Sequence, residues 1–243
     1  MKSIPGITIW KDHNTMSIAA AHFFVAACLR SIAEKGKFVV AVSGGTTPAR
    51  LYQLLASEDF SRNIPWEKVF IFWSDERFVS YTDAESNYRM VKENLLDHIS
   101  IPGKNIFPVP VGKTAEKSAA KYEKTIRGFF KNRKIIFDLL LLGVGKDGHT
   151  ASLFPGNPVL KENKKLVKAV WLENKQTGRI SFTLPLINSA AQVLFLVSGK
   201  EKSGVVAAVL TGKKIKPVLP VQAVRPRNGS MTWMLDEEAA ATI

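Results

Sequence analysis

The chain carries little that would staple it, anchor it or tie it to a metal. Only one of its 243 residues is cysteine, Cys28. That excludes an intramolecular disulfide and a Cys-rich zinc site. The expected state is a buried, inert thiol in a reducing compartment. The four histidines, His13, His22, His98 and His149, are scattered and give no metal-ligand spacing. No Gly-Lys-Ser/Thr follows a glycine loop at the Walker spacing, and no G-x-S-x-G elbow occurs. P-loop nucleotide chemistry and serine-hydrolase chemistry are therefore disfavoured. No low-complexity tract, no repeat of about 20–50 residues and no Gly/Ser/Pro linker divides the chain. Long apolar runs are missing as well. Ile18 to Leu29 falls short of the ~20 residues that span a bilayer. Asp12 and His13 precede it instead of a basic leader, and it continues into LRSIAEKG, where Gly36 ends a helix. A buried helix, a cytoplasmic protein and no membrane partner are expected.

Acidic residues are in short supply. Asp and Glu total 21 against 34 Lys and Arg, a net charge of +13. Such a field attracts anions: nucleic acid, acidic lipid or small phosphorylated molecules. The 46% hydrophobic and 23% charged composition is that of a soluble globular chain. At roughly 150 residues per domain the length allows one large domain or two small ones. The absence of a linker favours a single domain over residues 1–243.

Apolar runs of strand length alternate with helical patterns. Lys37–Val42, Val69–Trp73, Phe137–Leu142, Arg179–Leu184 and Val193–Val197 read as strands. Thr47–Ala56, Glu85–Leu96, Thr114–Phe130 and Lys200–Leu210 read as helices. Near the end, Val221–Arg225 and Met231–Leu235 flank Asn228-Gly229, a pair suited to a hairpin or tight connection. Strands apolar on both faces and separated by helices predict an α/β fold, a mainly parallel sheet flanked by helices. Ligands bind beyond the carboxyl ends of such strands.

Three loops at those ends carry chemistry. After the first strand, Ser43-Gly44-Gly45-Thr46 turns directly into a helix. Its amides and the positive helix end make a phosphate cradle, with hydroxyls adding donors. After the second, Ser74-Asp75-Glu76-Arg77 offers an arginine to hold an anion or an oxyanion, its fork fixed by Asp75 or Glu76. Ser86-Asn87-Tyr88 fits a helix cap. After the third, Gly143 to His149 contains a formal G-x-G-x-x-G. No acidic residue occurs from Asn163 to Lys168, about 20 positions on, which argues against dinucleotide binding. Asp147-Gly148-His149 instead pairs a carboxylate with a histidine suited to acid–base work near neutral pH. Arg179 and Lys202 open later elements and can supply charge to a phosphate. Lys161, Lys164, Lys165, Lys168, Lys213, Lys214 and Lys216 are expected to decorate loops, and His13 and His98 to lie at the surface. With no nucleophile in view, activated water is the expected attacking group.

At these loops the sequence resembles the 6-phosphogluconolactonases. The matching segments are VSGGTTPARLY, FWSDERFVSYTDAESNYRM, LLLGVGKDGHTASLFPG, RISFTLPLIN, FLVSGKEKSGVV and VRPRNGSMTWMLDEEAA. They run in family order from near residue 37 to the C-terminus. The resemblance implies a Rossmann-like fold related to glucosamine-6-phosphate deaminase. It also implies hydrolysis of 6-phosphoglucono-1,5-lactone with no metal or organic cofactor, in the oxidative pentose phosphate pathway. By position His149 resembles the family's catalytic histidine, Asp147 its motif neighbour and Arg77 the active-site arginine. Ser43, Gly44, Gly45, Thr46, Arg179 and Lys202 resemble its substrate and phosphate contacts. One departure is visible: many members place a basic residue directly after the Thr-Pro of the first loop, where this chain has Ala49 and then Arg50. The deaminase motif resembles DGHIAFNEP, whereas DGHTASLFPG has no acidic residue there, which favours the lactonase. A sugar-phosphate sensor would need an output domain. A nucleic-acid protein would account for the charge, but no recognition signature appears. The expected partner is a small sugar-phosphate lactone, with the chain a monomer or small homo-oligomer.

Overall fold

The computed structural model describes residues 6–131, 133–172, 177–211 and 218–243. Lys213, Lys214 and Lys216 lie outside the described residues. The first half holds β1 (Ile7–Trp10), α1 (His13–Lys35), β2 (Phe38–Val42), α2 (Thr46–Ala56), α3 (Glu58–Ser61), β3 (Val69–Trp73), β4 (Asp75–Arg77), α4 (Asn87–Asn94), β5 (Ile106–Phe107) and α5 (Ala115–Phe129). The second holds β6 (Leu139–Leu142), β7 (Val167–Val170), β8 (Arg179–Phe182), α6 (Leu184–Ile187), β9 (Gln192–Val197), α7 (Ser203–Leu210) and β10 (Ser230–Asp236).

Seven strands form one sheet in the order β1-β10-β9-β6-β2-β3-β5, with every pairing parallel. Helices supply the crossovers, as a parallel sheet requires. The α/β expectation therefore holds. β2 and β6 are buried along their whole length, which is why FVVAV and LLLL show no alternation. Phe72 of β3 stacks on Phe107 at 4.5 Å and meets Phe137 edge-on at 5.3 Å. Each such buried ring contributes about 1.5–3 kcal/mol.

Local signals set the helix ends. Asp12 caps α1 by accepting from Thr15 N at 2.7 Å, and Gly36 closes it at φ +73°. Ser86 Oγ accepts from Arg89 N at 3.2 Å, the cap expected for α4. α1 is long and apolar enough to cross a membrane by length and composition. Its face of Met16, Ala20, Phe24, Ala27 and Cys28 is buried in contact with β2, β10 and α2. Burial pushes the Cys28 thiol up to about 12.

Two expectations are corrected. Arg179–Phe182 does not join the parallel sheet. It is the middle strand of a separate antiparallel sheet, β4-β8-β7. The Asn228-Gly229 pair makes no hairpin either. Residues 220–223 form a 3-10 turn, and β10 runs parallel between β1 and β9. Gly229 is needed for close passage: a Cβ there would stand 2.3 Å from the Ala190 carbonyl oxygen. The short strands β1, β4 and β7 carry too few apolar positions to show a pattern.

Candidate active site

The strand order reverses between β2 and β6, the switch point at which open α/β sheets bind ligands. A cavity of about 460 Å³ opens there. Its wall takes residues that follow β2, β3, β6 and β9. A larger groove of about 750 Å³ runs between α5 and β7, but no histidine, hydroxyl or thiol lines it.

The first wall is the glycine loop, Ser43 to Thr46. Ser43 is pinned at both backbone atoms by the buried Tyr52 hydroxyl, which accepts from Ser43 N at 3.1 Å and donates to Ser43 O at 2.7 Å. Gly45 stands at φ +105° and starts α2 with no side-chain cap. No capping side chain therefore competes with an anion for the first amides of α2. Gly44 is required by contact: a Cβ would lie 1.8 Å from Asn87 Oδ1.

The second wall is β4. Arg77 lines the cavity, and its Nη1 donates to the Glu85 carbonyl at 2.5 Å. Neither acidic neighbour fixes its fork, contrary to the sequence reading. Asp75 accepts from Ser152 Oγ at 2.7 Å. Glu76 is buried and accepts from the amides of Arg77, Asn87 and Tyr88, each at 2.7 Å. Arg179 does not line the cavity. It is buried in β8 as the register partner of Arg77, and its Nε has no hydrogen-bond partner. Burial, then the charge of Arg77, pull its guanidinium below the usual range.

The third wall carries the histidine. His149 Nδ1 stands 2.5 Å from Asp147 Oδ1. Burial pushes the Asp147 carboxyl up, but the hydrogen bonds and charge of His149 outweigh it and hold it below the usual value. An ionised carboxylate only accepts, so Nδ1 carries the hydrogen and neutral His149 keeps its lone pair on Nε2. The ring packs on Phe154 at 4.5 Å, and Gly148 turns the loop at φ +80°. Gly145 makes room: a Cβ would meet His149 Nδ1 at 2.0 Å. Ala151, at φ +48°, also lines the cavity.

The fourth wall brings Lys202. Asp236, at the end of β10, accepts from Ser198 Oγ and from Gly199 N at 3.1 Å, which fixes the turn before Lys202. The structure thus brings Ser43, Gly44, Gly45, Thr46, Arg77, His149 and Lys202 to one cavity. Asp147 touches His149 without lining the cavity, and Arg179 stands beside Arg77 across the β4–β8 ladder. Sequence reading missed several polar wall residues, among them Glu201 beside Lys202. Asp75 and Asn87 were read as supports only, and His13, expected at the surface, forms part of the wall. Among the described residues no group of three His, Cys, Asp or Glu side chains has metal-binding geometry.

Comparison with known proteins bears on the whole chain. A 6-phosphogluconolactonase of Synechocystis sp. is 39% identical over 219 residues, covering 88% of each chain. The solved 6-phosphogluconolactonase from Trypanosoma cruzi superposes with a TM-score of 0.88 at 31% identity, covering 100% of this chain and 98% of that one. A monomeric glucosamine-6-phosphate deaminase superposes with a TM-score of 0.81 at 22% identity, covering 98% and 99%, a likeness of fold alone. The family model for glucosamine-6-phosphate isomerases/6-phosphogluconolactonase matches residues 11–233, and the chain belongs to that family.

Proposed function

We propose that the chain hydrolyses 6-phospho-D-glucono-1,5-lactone to 6-phospho-D-gluconate, the second step of the oxidative pentose phosphate pathway. The observation that carries this reading is the 2.5 Å contact between His149 Nδ1 and Asp147 Oδ1 inside a cavity that also holds a glycine loop and two cations. The substrate phosphate docks on the amides of Ser43 to Thr46 with Lys202, and Arg179 adds positive charge from beside Arg77. Remote binding then orients the lactone carbonyl. His149 Nε2 takes a proton from water as its oxygen bonds to C1. Arg77 stabilises the tetrahedral oxyanion. The bond from C1 to the ring oxygen breaks, and His149 returns the proton to that oxygen. Asp147 holds the tautomer and supports the cationic ring.

No metal or organic cofactor enters these steps. Residues 1–243 act as one domain, in the cytoplasm, as a monomer or small homo-oligomer without a nucleic-acid or membrane partner. The test is product formation from freshly generated lactone, corrected for spontaneous opening, with glucosamine 6-phosphate as the parallel substrate. His149→Ala should lose about 10²–10⁴-fold in kcat. Turnover near wild type in that variant, or turnover of glucosamine 6-phosphate instead, would overturn the reading.

A further inference from the structure

The glycine loop is anchored at two places, and only one of them lies within its own strand–helix unit. Tyr52, from α2, holds Ser43 at the start of the loop. The other anchor comes from α1. His13 Nε2 stands 2.9 Å from the Thr47 carbonyl oxygen. A carbonyl only accepts, so this nitrogen carries the hydrogen. His13 is the first residue of α1, whose start is rigid: Asp12 accepts from Thr15 N at 2.7 Å, and Asp12 N donates to Thr15 Oγ1 at 3.2 Å. The segment between the anchors is Gly44-Gly45-Thr46, which includes the one uncapped, positive-φ residue that starts α2. No side chain of its own caps the first turn of α2. Arg50, the nearest cation along α2, donates to Asn14 Oδ1 at 2.9 Å and is absent from the cavity wall, whereas His13 is part of it.

We propose that His13 is a positioning residue for phosphate binding. It clamps the first turn of α2 to the start of α1, and so presents the loop amides in a fixed array. The inference rests on the proposed docking of the substrate phosphate on that loop. Donors held before binding take up an anion without an ordering cost, so the effect falls on affinity and not on proton transfer at His149.

The test compares His13→Asn, too short to reach Thr47, with His13→Gln, whose Nε2 amide can replace the donor. His13→Ala serves as a third variant. Steady-state hydrolysis of fresh lactone gives kcat and KM, and inorganic phosphate as competitor gives Ki. His13→Asn and His13→Ala should raise KM and the phosphate Ki together by about 3–10-fold, the range for one lost hydrogen bond, with kcat within about twofold. His13→Gln should recover most of both. Unchanged KM and Ki in the Asn variant, while phosphate still competes in the wild type, overturns the role of His13 and leaves the activity standing. Equal loss in Asn and Gln also overturns it, as a packing role. If phosphate does not compete in the wild type, the docking site fails and the inference fails with it.

Discussion

Arg77 and Arg179 stand directly opposite one another in the antiparallel register of β4 and β8. Like charges facing across a ladder are destabilising, and Arg179 is buried with its Nε unpartnered. Asp75, Glu85 and Glu76 offset part of the repulsion, and under the proposed function a bound anion would relieve more of it. Arg179→Met keeps the volume and removes the repulsion, so its unfolding temperature without ligand should equal or exceed that of the wild type. Its stabilisation by saturating 6-phosphogluconate should be smaller, and its KM higher. A ligand-free drop beyond about 4 °C, roughly two kcal/mol for a chain this size, would mean that other partners hold Arg179.

Arg77 itself is assigned to the oxyanion. Arg77→Met should lower kcat by about 10²–10³-fold, the usual loss of one such donor. Steady-state rates on fresh lactone check this, and retention of more than a tenth of kcat would remove the role.

Gly145 is a packing test of the catalytic pair. An added Cβ would lie 2.0 Å from His149 Nδ1 and 2.7 Å from Asp147 Oδ1. Neither ring nor carboxylate can stay in place. Gly145→Ala should therefore lose activity on the scale of His149→Ala, about 10²–10⁴-fold, while circular dichroism shows the fold retained.

The parts of the fold and of the site differ in how legible they are in the sequence. Strands β2, β3, β6 and β9 showed in the sequence because burial on both faces leaves unbroken apolar runs. The cavity residues that directly follow them were found by the same reading, since each loop inherits its place from a strand. His13 was not, because only the sheet order brings the start of α1 beside the start of α2. The support of Arg77 was misread for a similar reason. Glu76 turns to three amides, and the arginine is held by a backbone carbonyl, Glu85 O, a group that every residue has. Of the two options for Asn228-Gly229, a hairpin or a tight connection, only the hairpin is excluded, because β10 pairs parallel with β1 and β9 and Gly229 passes close beside Ala190.

Glu76 offers a stability test. Oε1 accepts from the amides of Arg77 and Asn87, and Oε2 accepts from Tyr88 N and Ser86 Oγ. In Glu76→Gln one of these positions becomes an NH₂ facing a donor. The cost should be about 1–3 kcal/mol, read from urea denaturation. A smaller change would show that the segment around Ser86 is held by other contacts.

The pH dependence of stability has an identifiable contributor. Glu162 accepts from the amides of Lys165 and Lys164, at 3.0 and 2.8 Å, which pull its carboxyl down to about 2. A depressed carboxylate stabilises the fold above its unfolded value and loses that contribution as pH falls through the folded one. Wild type and Glu162→Gln should differ in unfolding midpoint near neutral pH and converge as pH drops from about 4.5 to about 2. Curves that stay parallel through that window would exclude Glu162 as the cause.

β10 lies between β1 and β9, so Ile7 pairs with Trp233. The earliest strand has no sheet neighbour until the latest one arrives, a connection of very high contact order and slow to form. The same arrival delivers Asp236, which fastens Ser198 and Gly199 beneath Lys202. The turn before Lys202 is therefore held by the same strand that closes the sheet onto β1. Substrate affinity should therefore return during refolding only once β10 has paired with β1 and β9, which stopped-flow refolding in the presence of substrate would read.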